Sequence, residues 1–174
     1  MSIVTLNNRA LKDATEVGTT TSLGNLVFIS RSTASSSSSL SITSGINSTY
    51  KEYIFILNSI HPASDNISFQ FNGTDDTSSH SFDVAQGTGY HTLSHQASND
   101  NDASLSGFLH LFDPSNTTFV KHFVARISGN NEDNHAQDNL SAGYFNTTAA
   151  ITGLDFKFSS GNVDARTITL YGVS

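Results

Sequence analysis

The sequence predicts an all-β fold: a two-sheet antiparallel sandwich, jelly-roll-like, with an N-terminal arm. Three observations predict it. Ser, Thr, Asn and Gly hold most polar positions while Val, Ile, Phe and Tyr hold most apolar ones, the balance of pleated strands joined by polar turns. Among the 15 acids only Glu16, Glu52 and Glu132 are Glu; the rest are Asp, which favours turns and caps over helix interiors. About ten short apolar runs, several of them alternating, recur with turn residues between them, and a jelly roll of about eight core strands fits that spacing best.

Taken in order, residues 1–24 carry no sustained pattern beyond Ile3, Val4 and Leu6, with a weak helical signal over Ala10–Val17. They read as an arm docking through Ile3, Val4, Leu6, Arg9 and Leu11, or as a disordered terminus. The sandwich domain then occupies residues 25–174. Leu26–Ser30 is the first strand, and the serine run Ser35–Ser39 reads as a linker or surface loop. Leu40, Ile42 and Ile46 mark a second strand, and Asn47-Ser48-Thr49 turns into Tyr50–Ile60. There Tyr53–Leu57, the longest unbroken run of large apolar residues, predicts a central strand buried on both faces. His61-Pro62 and Asp65-Asn66 break it.

Ile67, Phe69 and Phe71 alternate with Ser68, Gln70 and Asn72, which puts three apolar side chains on one face. Gly73–Asp102 is loop-like, with weak strand signals near Ser81–Val84 and Tyr90–Leu93; so long a loop is unusual in a compact domain, so at least one short strand is expected inside it. Leu105–Phe112 and Thr118–Ile127 predict a hairpin across Asp113–Thr117. In its second strand Phe119, Phe123, Ala125 and Ile127 share one face, leaving Val120, His122, Val124 and Arg126 on the other as a candidate subunit-contact face. Gly129–Asn139 reads as a polar loop. Leu140–Phe145 follows, and Ile151–Phe158 with Thr167–Val173 are expected to close the domain as a hairpin, with Leu154, Phe156, Phe158, Ile168 and Leu170 inward.

Composition bounds the function. With 174 residues the chain builds one core without staples, and having no cysteine it has neither a disulfide framework nor a thiolate site. The 8 Lys and Arg against 15 Asp and Glu, with no basic block, argue against nucleic acid as a partner. Nothing approaches the ~18 apolar residues of a membrane span, and the N-terminus lacks the plan of a signal peptide, so the expectation is synthesis in a cytoplasm and no membrane insertion.

No motif assigns a catalytic residue, a metal or a cofactor. His91 and His95 have the i, i+4 spacing of a helical zinc pair, but glycines and turn residues flank them and no Glu follows His91, so exposed loop histidines are the better reading. Asp75-Asp76 and Asp100-Asn101-Asp102 lack the spacing of a calcium loop. Ser, His and Asp abound without a Gly-x-Ser-x-Gly elbow. The Asn-x-Ser/Thr sequons read as turns. A carbohydrate-binding surface is the alternative reading: Tyr90, His91, His95, Asp100, Asp102, Asn131 and His135 are candidate glycan-contact residues on loops, although Trp, a frequent sugar platform, is absent.

With these strands placed, the sequence resembles a group of small virion proteins of tailed phages, especially of marine bacteria. The resemblance is carried by Thr43–Tyr53, Asn58–Asn66, Gln86–Tyr90, Ser106–Phe112, Phe119–Phe123 and Phe156–Asp164, with a similar opening at Thr5–Leu11. These are strand and turn signatures, not catalytic motifs. They imply a non-enzymatic structural component of the virion: a tail-fibre or tail-associated protein or a capsid appendage. Its partners would be itself, most plausibly as a trimer, and other virion proteins, with a host-surface glycan as a further candidate.

Overall fold

Period-two alternation dictates the architecture, because every strand must bury one face. The computed structural model describes residues 26–73, 79–82 and 85–174. Within them lie β1 (Leu26–Ser37), β2 (Leu40–Ile42), β3 (Glu52–Pro62), β4 (Ile67–Gly73), β5 (Ser79–Phe82), β6 (Ala85–Thr88), β7 (His91–Ala97), β8 (Leu105–Phe112), β9 (Lys121–Asn130), β10 (Ala136–Phe145), β11 (Leu154–Phe158) and β12 (Val163–Val173). All pairings are antiparallel. The larger sheet runs β1-β12-β3-β8-β9-β10 and is extended by the short pair β5-β6; the smaller runs β2-β11-β4-β7.

Setting aside β5-β6 and β9-β10, the remaining eight strands have the orders first-eighth-third-sixth and second-seventh-fourth-fifth. That is the double Greek key of a jelly roll, in which the chain passes repeatedly between two facing sheets. The β9-β10 hairpin widens the larger sheet beyond the four-on-four sandwich and curls over the open edge strand of the smaller one. Gln137 Nε2 donates to the His95 carbonyl at 2.9 Å, Asn139 Nδ2 to Ser94 Oγ at 3.3 Å, and the Glu132 amide to the Gln96 carbonyl at 3.0 Å. The edge of β7 is thereby covered rather than left as a template for another strand.

Between the sheets lies a core rich in phenylalanine. Phe156 of β11 meets Phe55 of β3 across the sandwich at 5.6 Å between ring centroids, and Phe69 and Phe71 of β4 at 6.2 and 6.0 Å. Phe71 also meets Phe123 and Phe145 of the β9-β10 extension at 4.9 and 6.0 Å. Tyr53 is fully buried, yet its hydroxyl is satisfied: it donates to the Asn47 carbonyl at 2.8 Å and accepts the Asn47 amide at 3.0 Å, closing the turn ahead of β3. A buried phenol left without those partners would cost stability.

Several expectations are corrected. The run Tyr53–Leu57 is central, between β12 and β8, but only Tyr53, Phe55 and Leu57 reach the core; Ile54 and Ile56 are half-buried on the outer face. Ser35–Ser37 is strand, not loop, since β1 continues as the edge partner of β12 down to Ser37 opposite Val163. Ladder bonds are made by the backbone, and serine side chains on an exposed edge do not oppose them. Gly129–Asn139 is mostly strand, as the ends of β9 and β10. The expected closing hairpin does not form: β11 pairs with β2 and β4, whereas β12 pairs with β1 and β3. Phe119 lies 69% exposed before β9, and Lys121 takes the inward position in its place. Its buried ammonium donates to the carbonyls of Thr147 (3.1 Å) and Ala149, pinning the β10–β11 connection.

Phe156→Ala removes the ring that touches both sheets. It is expected to destabilise the domain by ~3–5 kcal/mol in urea unfolding, the range for a buried phenylalanine; a loss below ~1 kcal/mol would contradict this account of the core.

Candidate assembly face and end cleft

The strand alternation that builds the core also decides what the outer faces carry, and the two sheets differ sharply. Cross-strand pairing on the outer face of the larger sheet aligns Phe28, Tyr171, Ile54, His110, Val124 and Ala142 in one row. The neighbouring row is Arg31, Thr169, Ile56, Phe108, Arg126 and Leu140. Of the large hydrophobic side chains that remain exposed, Leu26 (51%), Phe28 (56%), Phe108 (39%) and Leu140 (70%) all belong to this face. Polar groups are interleaved. Arg126 Nε donates to both carboxylate oxygens of Asp138 at 2.9 and 3.0 Å, and His110 Nε2 lies 3.0 Å from Glu52 Oε2. The Arg126 guanidinium holds the Asp138 carboxyl below the usual carboxylate range. Around Phe108 a shallow hollow of about 290 Å³ opens between Ser106, Arg126, Ser128 and Asp138.

By contrast, the outer face of the smaller sheet is polar. Ser41 Oγ donates to Asp155 Oδ1 at 2.6 Å, Gln70 Nε2 to Thr92 Oγ1 at 3.3 Å, and the Tyr90 hydroxyl donates to Asp155 Oδ2. Lys157 Nζ sits 3.9 Å from the centre of the Tyr90 ring. Burial, then the hydrogen bond and charge of Asp155, push the Tyr90 phenol up to about 12.

At one end of the sandwich the β7–β8 connection folds over the ends of β3 and β12. There Ser59, His61, Asn101, Asp102, Ser104 and Arg166 line a polar cleft of about 400 Å³. His61 donates Nε2–H to the Asp100 carbonyl at 3.1 Å, which ties that connection to β3. The cleft sits where the ladders slip: β3 loses register with β8 between Leu57 and Ile60, and with β12 on both sides of Ala165.

The structure divides the residues singled out from sequence. His122, Val124 and Arg126 lie in β9 on the outer face of the larger sheet, among the exposed apolar residues just described; Val120 is half-buried immediately before that strand. The candidate glycan residues do not form one surface. His91 is buried, its ring edge-on to Phe71 at 5.7 Å and to Phe123 at 5.2 Å, so it is a core residue and not a loop contact. Tyr90 belongs to the polar sheet face. His95 lies within β7 near Ser68 rather than on a loop. Asn131 Oδ1 accepts the amides of Asp133 and His135 at 3.2 and 2.8 Å, so that side chain shapes its own turn, and His135 is exposed beside it. Asp102 lines the end cleft and Asp100 borders it through its carbonyl. The arm residues Ile3, Val4, Leu6, Arg9 and Leu11, and the Asp75-Asp76 pair, lie outside the described residues. Among the described residues no group of three or more His, Asp and Glu is placed to hold a metal ion.

Sequence reasoning missed Arg166 and the apolar residues of β1 and β8. Phe28 and Phe108 read as ordinary strand residues, and only knowledge of which strands pair puts them on one outer face. Because the folded state binds the Tyr90 proton more tightly than a free phenol near pH ~10 does, that contribution to stability is present below pH ~10 and is lost as pH rises through about 12. Between pH ~9.5 and ~11.5, Tyr90→Phe is expected to lose less melting temperature than the parent; equal losses would contradict the assigned environment. No family model, curated protein or solved structure matches this chain.

Proposed function

We propose that this chain is a non-enzymatic structural protein of a tailed-phage virion, a tail-fibre or tail-associated protein or a capsid appendage, that assembles with copies of itself and with other virion proteins. The outer face of the larger sheet carries the proposal. A contiguous platform holding Leu26, Phe28, Phe108, Leu140 and the half-buried Ile54, Ile56, Val124 and Tyr171 is more apolar than a sheet face left in water ordinarily is. The Arg126–Asp138 ion pair and the polar His110–Glu52 contact punctuate it. An apolar centre with interspersed polar groups that set register is the anatomy of a protein interface. The polar outer face of the smaller sheet supplies the contrast: it has the composition of a solvated surface.

Two further considerations support the reading. The short segments that resemble tailed-phage virion proteins are spread along the chain from Thr5 to Asp164, and viral capsid domains are among the proteins built as jelly rolls. The second is an analogy of fold and carries less weight than the face itself. Jelly rolls also include lectins, and the end cleft favours a host-surface glycan as an additional partner, displayed at a sandwich end while the sheet face is used for assembly.

Leu140→Glu and Phe108→Glu place a carboxylate on the platform at positions already in contact with solvent, so each is expected to lower stability by no more than ~1 kcal/mol. Self-association in sedimentation equilibrium should fall by at least tenfold in each. Mass spectrometry of purified virions should find the parent chain in the particle. Variants that associate like the parent would contradict use of this face, and a chain absent from particles would contradict the virion role.

A further inference from the structure

We propose that the end cleft is a binding site for a neutral saccharide, with Arg166 and Asp102 serving as donor and acceptor for its hydroxyl groups. The inference rests on the glycan reading given above and names its site and ligand class. Three observations carry it.

Backbone conformation comes first. Ser59 has φ of 52° and Arg166 has φ of 90°, both in the left-handed region that residues with a Cβ rarely adopt. Each is unfavourable relative to a relaxed strand. They lie opposite one another, since Asn58 pairs with Thr167 and His61 with Ala165, so the slip in β3 and the slip in β12 occur side by side. Two adjacent bulges turn both side chains into the wall of one cleft. A regular ladder there would be more stable and would present neither.

The second observation is the lining. Asn101, Ser59 and Ser104 join Arg166 and Asp102, with Ala103 and Ala165 between them, and among the described residues the only ring in the lining is His61. Among the described residues neither Arg166 nor Asp102 forms an ion pair. A guanidinium and a carboxylate that line one cleft and are not paired with each other offer donors and acceptors together, which is what vicinal hydroxyls require.

Charge then selects the ligand class. Arg166 and Asp102 cancel, Asp100 and Asp164 stand nearby, and the chain carries a formal charge of −7, so an anion is disfavoured. The apolar lining is limited to Ala103 and Ala165, which disfavours a hydrophobic ligand. A neutral polyol meets both conditions. Without an aromatic platform a single site would bind in the mM range, and presentation of several copies on an assembled particle would raise the avidity.

The test is a titration of the isotope-labelled full chain, followed by amide chemical shifts. The probes are neutral sugars (glucose, galactose, mannose, N-acetylglucosamine and their short oligomers) and acidic ones (glucuronate, N-acetylneuraminate). At least one neutral probe should shift amides of Ser59, Asn101–Ser104 and Arg166. Arg166→Gly should weaken that binding at least tenfold while leaving the melting temperature equal or higher, because glycine relaxes the left-handed position. Asp102→Asn should weaken it with no change in fold. Neutral-sugar shifts elsewhere on the surface, or shifts unaffected by Arg166→Gly, would overturn this site while leaving the glycan reading standing. A response to acidic probes alone would overturn the ligand class. No shift with any probe, including a broad glycan array, would overturn both.

Discussion

Everything else in this domain depends on the packing of Phe156 against Phe55, Phe69 and Phe71. Phe156 sits in β11, whose two neighbours β2 and β4 belong to the smaller sheet, and its ring reaches β3 at the centre of the larger one. This contact holds the two layers together. It also sets register, because side chains alternate along a strand and a slip of one residue in β11 would send Asp155 and Lys157 into the core. Phe71 passes the same constraint on to Phe123 and Phe145, so the β9-β10 extension is anchored to the same cluster.

Once the core side of each strand is settled, the outer sides follow, and the chain spends them unequally. On the smaller sheet the outer positions are Ser41, Gln70, Asn72, Thr92, Asp155 and Lys157, several of which bond to one another. On the larger sheet they include Phe28, Ile54, Ile56, Phe108, Val124 and Leu140. Placing aromatic and branched residues on a solvated face risks aggregation unless that face has a partner. On the reading proposed above, one sheet face serves assembly, the other meets solvent, and the slipped strand ends take a ligand.

Local pattern made much of the fold legible. Ile67, Phe69 and Phe71 alternate in sequence and are all buried, and Leu154, Phe156 and Phe158 behave likewise. The Leu105–Phe112 hairpin partner was legible because it is the next strand along the chain. What was not legible depends on distant partners. In a jelly roll β11 and β12 belong to different sheets, so their closeness in sequence suggested a hairpin that the topology forbids. Ile54 and Ile56 suggested a strand buried on both faces, when they instead form part of the exposed platform. Ser35–Ser37 has a linker's composition yet pairs with β12, because a ladder needs only backbone.

The sites divide in the same way. His122, Val124 and Arg126 follow from alternation within one strand, whereas their neighbours Phe28, Phe108 and Leu140 require the sheet order. His91 sits among turn residues in sequence, and its burial comes from Phe71 and Phe123, which are far away along the chain. Nothing local distinguishes Arg166, whose left-handed backbone arises from a slip against β3. The central claim is that the outer face of the larger sheet is covered by another subunit. Native mass spectrometry of the full chain over a dilution series tests it most directly: the account predicts an oligomer that dissociates only on dilution, and a monomer at every concentration would contradict it.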